Sequence, residues 1–264
     1  MLPRPMSDPA ELLSEQAGPV RVLRLNRPEA RNALTPTLVA ALGRAIAEAE
    51  SDGGTRAVVI AAEGDRAFCV GMDLKSLGGF DADEAIREGR RSFMRFLHGD
   101  VGVPVVGAVN GIAVGGGFEI LLGCDIVVAS SEAAFGLPEV KRGLLAGGGG
   151  AIALGNRLPL SLAMQLALTG DTIDARRAQE IGLVSEVVAP DALLGAAMAI
   201  AERIAANGPL AVRATKELVR IGTSDPAAGW RRLEALQGEV FASEDAAEGV
   251  RAFLEKRPPE WKGR

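Results

Sequence analysis

Apolar positions along this chain switch between strand-like runs and helical spacing, and the switches mark out its elements. Residues 11–16 and 20–25 are two β-favouring runs around Ala17-Gly18-Pro19, which predicts a hairpin. Thr35 then stands where a helix N-cap would, with Pro36 at the first helical position. Behind it Leu38, Ala41, Leu42, Ala45, Ile46 and Ala49 recur at helical spacing, and Asp52-Gly53-Gly54 ends the run. The continuous apolar segment Ala57–Ala62 (AVVIAA) predicts a buried strand. A similar round follows: a strand over 105–109, a short helix over 115–122 and a strand over 126–129. A looser third round has glycines at 147–150, a helix to about Leu158 and a strand over 184–188.

From Asp191 the texture becomes helix after helix. Leu194, Ala197, Met198, Ala201, Ile204 and Ala205 share one face, ended by Asn207-Gly208-Pro209. Helices are expected over 210–221, 230–241 and 246–254. Buried strands alternating with helices imply an α/β core, and strand–helix units that repeat loosely suit a spiral stack. The expected organisation is a flexible tail over 1–10, a core over 11–195 and a helical region over 196–264. That last region would close over the core or pack on a neighbouring subunit.

Composition narrows the chemistry. One histidine, His98, and no tyrosine in 264 residues leave Ser-His-Asp triads, His-based zinc sites and Cys-His dyads dependent on that one side chain. It sits among Arg and Phe with no thiol, hydroxyl or second ligand beside it in sequence, so it reads as a packed or surface residue. Catalysis is therefore expected from carboxylates, backbone groups or a cofactor. Two cysteines make no disulfide framework and suit a reducing cytoplasm. A net charge of −5 gives a nucleic-acid partner no support. No apolar run reaches membrane-spanning length, and residues 1–9 carry three prolines without an apolar signal core. Arg87, Arg90, Arg91 and Arg95, and the tail residues Arg251, Lys256, Arg257, Lys262 and Arg264, read either as solvated faces or as partners for the phosphates of an anionic ligand.

Three central stretches carry candidate chemistry. RAFCVGMDLK (66–75) follows the AVVIAA strand and places a glycine where backbone can approach a ligand. In NGIAVGGGFEILLGCD (110–125) three glycines open a helix whose first amides lack intrahelical acceptors, a place for an anion or a developing oxyanion. Glu119 falls in that helix's first turn, where a carboxylate also serves helix stability alone. In FGLPEVKRGLLAGGGG (135–150) Glu139 lies among apolar residues and glycines, either partly desolvated or in a plain cluster with Lys141 and Arg142. Gly148, Gly150 and Ala153 match G-x-G-x-x-A weakly: no strand leads in, and no acidic residue stands in the usual place about twenty residues on.

Taken together and in this order, RAFCVGMDL, NGIAVGGGFE and FGLPEVKRGL resemble the enoyl-CoA hydratase (crotonase) family. Asn26-Arg27-Pro28 with Asn32-Ala33-Leu34, ALTG at 167–170, AQEIGLV at 178–184 and the ending EDAAEGVRAFLEKR at 244–257 extend the resemblance over about residues 11–264. Some stretches are also similar to carnitinyl-CoA dehydratase. The resemblance implies a spiral of repeated β-β-α units with a C-terminal trimerisation region, and a homotrimer or a dimer of trimers. It further implies an acyl-CoA thioester substrate, with no metal and no cofactor beyond that coenzyme A.

By position, Val70 and Gly116 would supply the backbone N–H donors of an oxyanion hole, and Glu119 and Glu139 match the two glutamates of the hydratase branch. Arg31, Ala33, Ala67, Gly71, Met72, Asp73 and Leu74 match segments lining the CoA groove. Phe253 and Lys256 match positions that reach the nucleotide end from a neighbouring subunit. Cys69 and Val70 stand where many members carry Ala or Ser. The implied activity is reversible addition of water to a 2-enoyl-CoA. An enoyl-CoA isomerase, a non-catalytic acyl-CoA binder and a nicotinamide dehydrogenase are the rival readings.

Overall fold

The computed structural model describes residues 10–79 and 83–264, so the tail assigned to 1–10 lies, but for Ala10, outside the described residues. The elements are β1 (Leu12–Ala17), β2 (Val20–Leu25), α1 (Pro36–Ser51), β3 (Ala57–Ala62), β4 (Ala67–Cys69), α2 (Glu84–His98), β5 (Val105–Val109), β6 (Ile112–Val114) and α3 (Gly116–Gly123). There follow β7 (Ile126–Ser130), β8 (Ala134–Gly136), a 3-10 turn (Pro138–Arg142), α4 (Gly150–Arg157), α5 (Leu160–Thr169), β9 (Ile173–Asp174), α6 (Ala175–Glu180) and β10 (Glu186–Val188). Four helices close the chain: α7 (Leu193–Ala205), α8 (Pro209–Ser224), α9 (Pro226–Phe241) and α10 (Glu244–Glu255).

From β3 to β8 successive strands alternate between two sheets, while β1 and β2 join the first of these beside β3. One sheet has the order β1-β2-β3-β5-β7-β10, the other β4-β6-β8-β9. Within them β2-β3-β5-β7-β10 and β4-β6-β8 run parallel, while β1 and β9 pair antiparallel at the edges. Each round therefore adds one strand to each sheet and then turns through helix or loop, which is the expected β-β-α spiral. The AVVIAA strand shows why its sequence is apolar throughout. Val58 and Ile60 face the core shared with α1 and α3, whereas Ala57, Val59 and Ala61 face α7. The alanine face of α7 (Ala197, Ala201, Ala205) is buried on that second side, so the helical texture after 190 begins with a helix that belongs to the sheet's packing.

The N-cap of α1 is as read: Thr35 Oγ1 accepts the Leu38 N–H at 3.0 Å. Helix α2 is capped by Asp83 and crosses α1 at two glycines. A methyl group on Gly43 would lie 2.0 Å from the Gly89 carbonyl, and one on Gly89 would lie 2.6 Å from Ala40 Cα. Alanine at either position overpacks the crossing, at a cost of about 1–3 kcal/mol. This close crossing sets the far end of α2, with Phe96 and Leu97, against the end of α3 at Gly123. The arginines of α2 are largely a solvated face: Arg87 and Arg91 pair with Glu84, and Arg95 with Glu50. The basic tail folds back on α10, Arg251 and Arg257 onto Glu248 and Lys262 and Arg264 onto Glu244.

Candidate active site

The wholly buried helix α3 is the centre of the site, and its three glycines have three separate reasons. Gly115 holds φ +58°, and a side chain there would also meet Glu139 Oε1 at 3.1 Å. Gly117 presses on the end of β4: a methyl would lie 2.2 Å from the Cys69 carbonyl. Gly116 is the first helical residue, so its N–H has no intrahelical acceptor. Gly71 backs onto this amide, with 3.2 Å between a methyl placed on Gly71 and Gly116 N. The turn carrying Val70 and Gly71 thus lies beside the positive end of α3.

That turn is fixed by the segment before α1. Leu34 N–H donates to Gly71 O at 2.8 Å, and Asp73 N–H donates to Leu34 O at 2.9 Å. Asn32, fully buried at φ +54°, donates to Glu63 O and Ala67 O and accepts the Arg27 N–H. Arg27 reaches Ala33 O and pairs with Asp73. The expected groove residues Ala33, Ala67, Gly71, Met72 and Asp73 are brought together here, with exposed Arg31 and Leu74 at the ends of the two segments. Asp73 differs in one respect: its carboxylate is engaged by Arg27 and by the Lys75 N–H.

Two carboxylates converge on the start of α3. Glu119 is 7% exposed, and its Oε1 accepts the Gly150 N–H at 2.9 Å, at the first residue of α4. Burial raises its pKa above the usual carboxylate value, the Glu139 charge adds to the rise, and the amides of Gly150 and Gly148 pull the other way. Glu139 comes from the 3-10 turn after β8. Its Oε2 is buried with no hydrogen-bond partner, and burial raises its pKa too, against its own N–H and Arg142. Leu34, Leu97 and Leu137 close around the glycines that face these groups. A cage of this kind disfavours the charged form of both carboxyls and leaves one acceptor unused. The cysteine thiols, both buried and pushed up to about 12, stay protonated.

The sequence model described as enoyl-CoA hydratase/isomerase matches residues 15–264. This chain belongs to that family. It is 40% identical to the (E)-benzylidenesuccinyl-CoA hydratase of Thauera aromatica, over 94% of this chain and 98% of that protein. To the carnitinyl-CoA dehydratase of Proteus mirabilis (strain HI4320) it is 36% identical, over 94% and 96% respectively. Its fold is similar to the crystal structure of enoyl-CoA hydratase from Mycobacterium tuberculosis H37Rv, with TM-score 0.89 and 40% identity over 97% of this chain and 100% of that one.

Some features of this family member lay beyond the motifs. Phe253, 82% exposed, and Lys256 lie on or just after α10, which packs on α9 rather than on α3. Gly148 and Gly150, noted only as a loose dinucleotide pattern, hold the Glu119 carboxylate instead. Their signal was the glycine run ahead of an apolar helix, which marks a close approach without naming what approaches. A wide cleft of about 1380 Å³ lies away from the carboxylates, between α8 and the C-terminal end of α3, and His98 lines it. Among the described residues no three His, Cys, Asp or Glu side chains gather as a metal site requires, and no helix is long and apolar enough to cross a membrane.

Proposed function

We propose that this chain is an enoyl-CoA hydratase that adds water reversibly to a 2-enoyl-CoA, giving the 3-hydroxyacyl-CoA. The observation that carries the reading is the pair Glu119 and Glu139: one held by a helix-start amide, the other with a buried unpartnered oxygen, both beside the first turn of α3. In the mechanism the thioester carbonyl lies between the N–H groups of Val70 and Gly116. Water adds to the β-carbon, Glu119 takes its proton, and negative charge spreads onto the thioester oxygen. Those two amides and the positive end of α3 stabilise that charge. Glu139, whose anion burial disfavours, delivers a proton to the α-carbon. Two such carboxyls titrate as a pair, leaving one charged and one neutral. Adding water breaks the C=C π bond and one O–H bond, forms a C–O and a C–H bond and changes no net oxidation state, so neither a redox cofactor nor a metal is required.

The groove between 31–34 and 67–74 is proposed to take the coenzyme A moiety along its backbone. We infer a cytoplasmic homotrimer or dimer of trimers, assembled through the 196–264 region. Trp230, Phe241, Phe253 and Leu254 are 72–82% exposed on α9 and α10 and call for a covering surface. In that assembly Phe253 and Lys256 would reach a neighbour's nucleotide end. Light scattering tests the assembly, and a stable monomer at micromolar concentration would exclude it. The activity is tested by following loss of the conjugated thioester absorbance of crotonyl-CoA, with a panel including carnitinyl-CoA to rank acyl groups. No turnover across the panel, with binding retained, would leave an acyl-CoA binder instead.

A further inference from the structure

Helix α4 is tied to α3 at both of its ends. At its first residue the Gly150 N–H donates to Glu119 Oε1. At its last, Arg157 Nη2 donates to the carbonyl of Cys124, the C-cap of α3. Seven residues separate the two ties on α4, about 10 Å of helix. The second tie is costly to build. Arg157 is half-buried, with Lys216 and Arg220 from α8 lining the same cleft, and Asp125 meets Lys216 at 2.8 Å and Arg220 at 2.7 Å. Arg220 also donates to Gly123 O at 2.9 Å and Lys216 to Val103 O at 2.7 Å. Of these three cations two share Asp125, and the third, Arg157, sits on the carbonyl end of α3, whose negative pole favours it. Such clusters are poor sources of net stability, and their use lies in fixing geometry.

We propose that Arg157 is a positioning residue for the hydration: by anchoring the far end of α4 on Cys124 O, it holds the Gly150 amide against Glu119 and so sets the carboxylate that takes the proton from water. This rests on the reading of Glu119 as the base. Helix α4 has eight residues, packed through Leu154 within it and Leu158 just past its end, and Arg157 is the polar tie of that end, so its loss lets the helix pivot on these side chains. The coenzyme A groove belongs to other elements and is untouched by such a pivot.

The test is a double-mutant cycle with crotonyl-CoA, measuring kcat, KM and the thermal midpoint. Arg157→Gln is expected to lower kcat about 10–100-fold, the scale of an ångström-level misplacement, while KM changes less than about threefold. Arg157→Lys, which keeps a charged donor, should recover most of the loss. In a Glu119→Gln background Arg157→Gln should cost less than about threefold, because no base remains to be positioned. A folded Arg157→Gln enzyme with wild-type kcat, or one losing the same factor in both backgrounds, would overturn the proposal. Should Arg157→Gln not fold, Arg157→Met, which keeps the packing of the stem without an unpaired polar end, runs the same cycle. If Glu119→Gln alone leaves kcat unchanged, it is the reading of Glu119 that fails.

Discussion

Two helices in this molecule open on a run of glycines, and they use it in opposite ways. At α3 the amide of Gly116 has no intrahelical acceptor and lies beside Gly71, and glycine is needed so that β4 and the 3-10 turn can come close. At α4 the amide of Gly150 is already taken by Glu119, a side chain from α3 itself. A free helix start is an anion site, but whether the anion is a ligand or a residue of the protein depends on what the fold brings there. The first arrangement suits charge that appears only during reaction; the second suits charge present beforehand. Together they give α3 a receptive N-terminus and a carboxylate held in its own first turn.

The strongest way to break this arrangement is to neutralise the carboxylates. Glu119→Gln and Glu139→Gln keep size and most hydrogen bonding, and the side-chain amide introduced by Glu119→Gln still offers an oxygen to the Gly150 N–H. Neither substituted side chain exchanges a proton in this range. Each variant should lower the hydration rate by roughly 10²–10⁴. The double variant should be far less than multiplicatively worse, since in the proposed mechanism both groups handle one water. Steady-state kinetics with crotonyl-CoA measures both points. Near wild-type rates in both single variants would remove the hydratase mechanism, and loss at Glu139 alone would point to isomerisation of a 3-enoyl-CoA.

Next in size are substitutions that treat the two helix starts differently. Gly116→Pro deletes the N–H at a first helical position, where proline is otherwise tolerated, and should cost about 10²–10³ in kcat. Gly150→Ala keeps its N–H but sets a methyl 2.9 Å from Glu119 Cγ. It should shift the carboxylate and cost about tenfold, below a full 1 Å misplacement. Circular dichroism must show both variants folded. Equal losses at the two positions would mean that Gly116 acts only through packing.

Sequence reading reached the elements whose pattern is local and missed those set by distant partners. The hairpin, α1 with its Thr35 cap and the AVVIAA strand were legible because capping, turn residues and short apolar runs act within a few residues. Strands β4, β6 and β8 have three residues each, too few to show a period. Helix α2 was not marked as an element: its run is rich in arginine and carries Gly89, a residue that reads as a breaker until Ala40 is seen against it. The predicted strand over 184–188 is shorter in the fold, since Val184 is engaged by Ala178 O in the turn after α6. Family motifs located Glu119, Glu139 and the glycines. The Gly150–Glu119 and Arg157–Cys124 ties span 31 and 33 residues and carry no local pattern.

The smallest expected effect concerns stability, and its sign is opposite to that of activity. Both glutamates have folded-state pKa values raised above the ordinary 4.5, chiefly by burial, and for Glu119 the Gly150 and Gly148 amides do not offset it. A raised carboxyl pKa means that the folded chain binds protons more tightly than the unfolded chain. Stability therefore falls as pH rises from about the ordinary value through the raised ones, and stays lower above them. Glutamine removes the ionisation and with it this penalty. Glu119→Gln should thus melt higher than wild type at neutral pH, by on the order of a few degrees for a chain of this size. The advantage should shrink as the pH is lowered toward 4.5, where the wild-type carboxyl is protonated in the folded state. Thermal melts of the two proteins between pH 4.5 and 8 measure it. A Glu119→Gln variant less stable than wild type at pH 8 would mean that the amides at the start of α4 outweigh burial, and that Glu119 sits there chiefly as a helix cap.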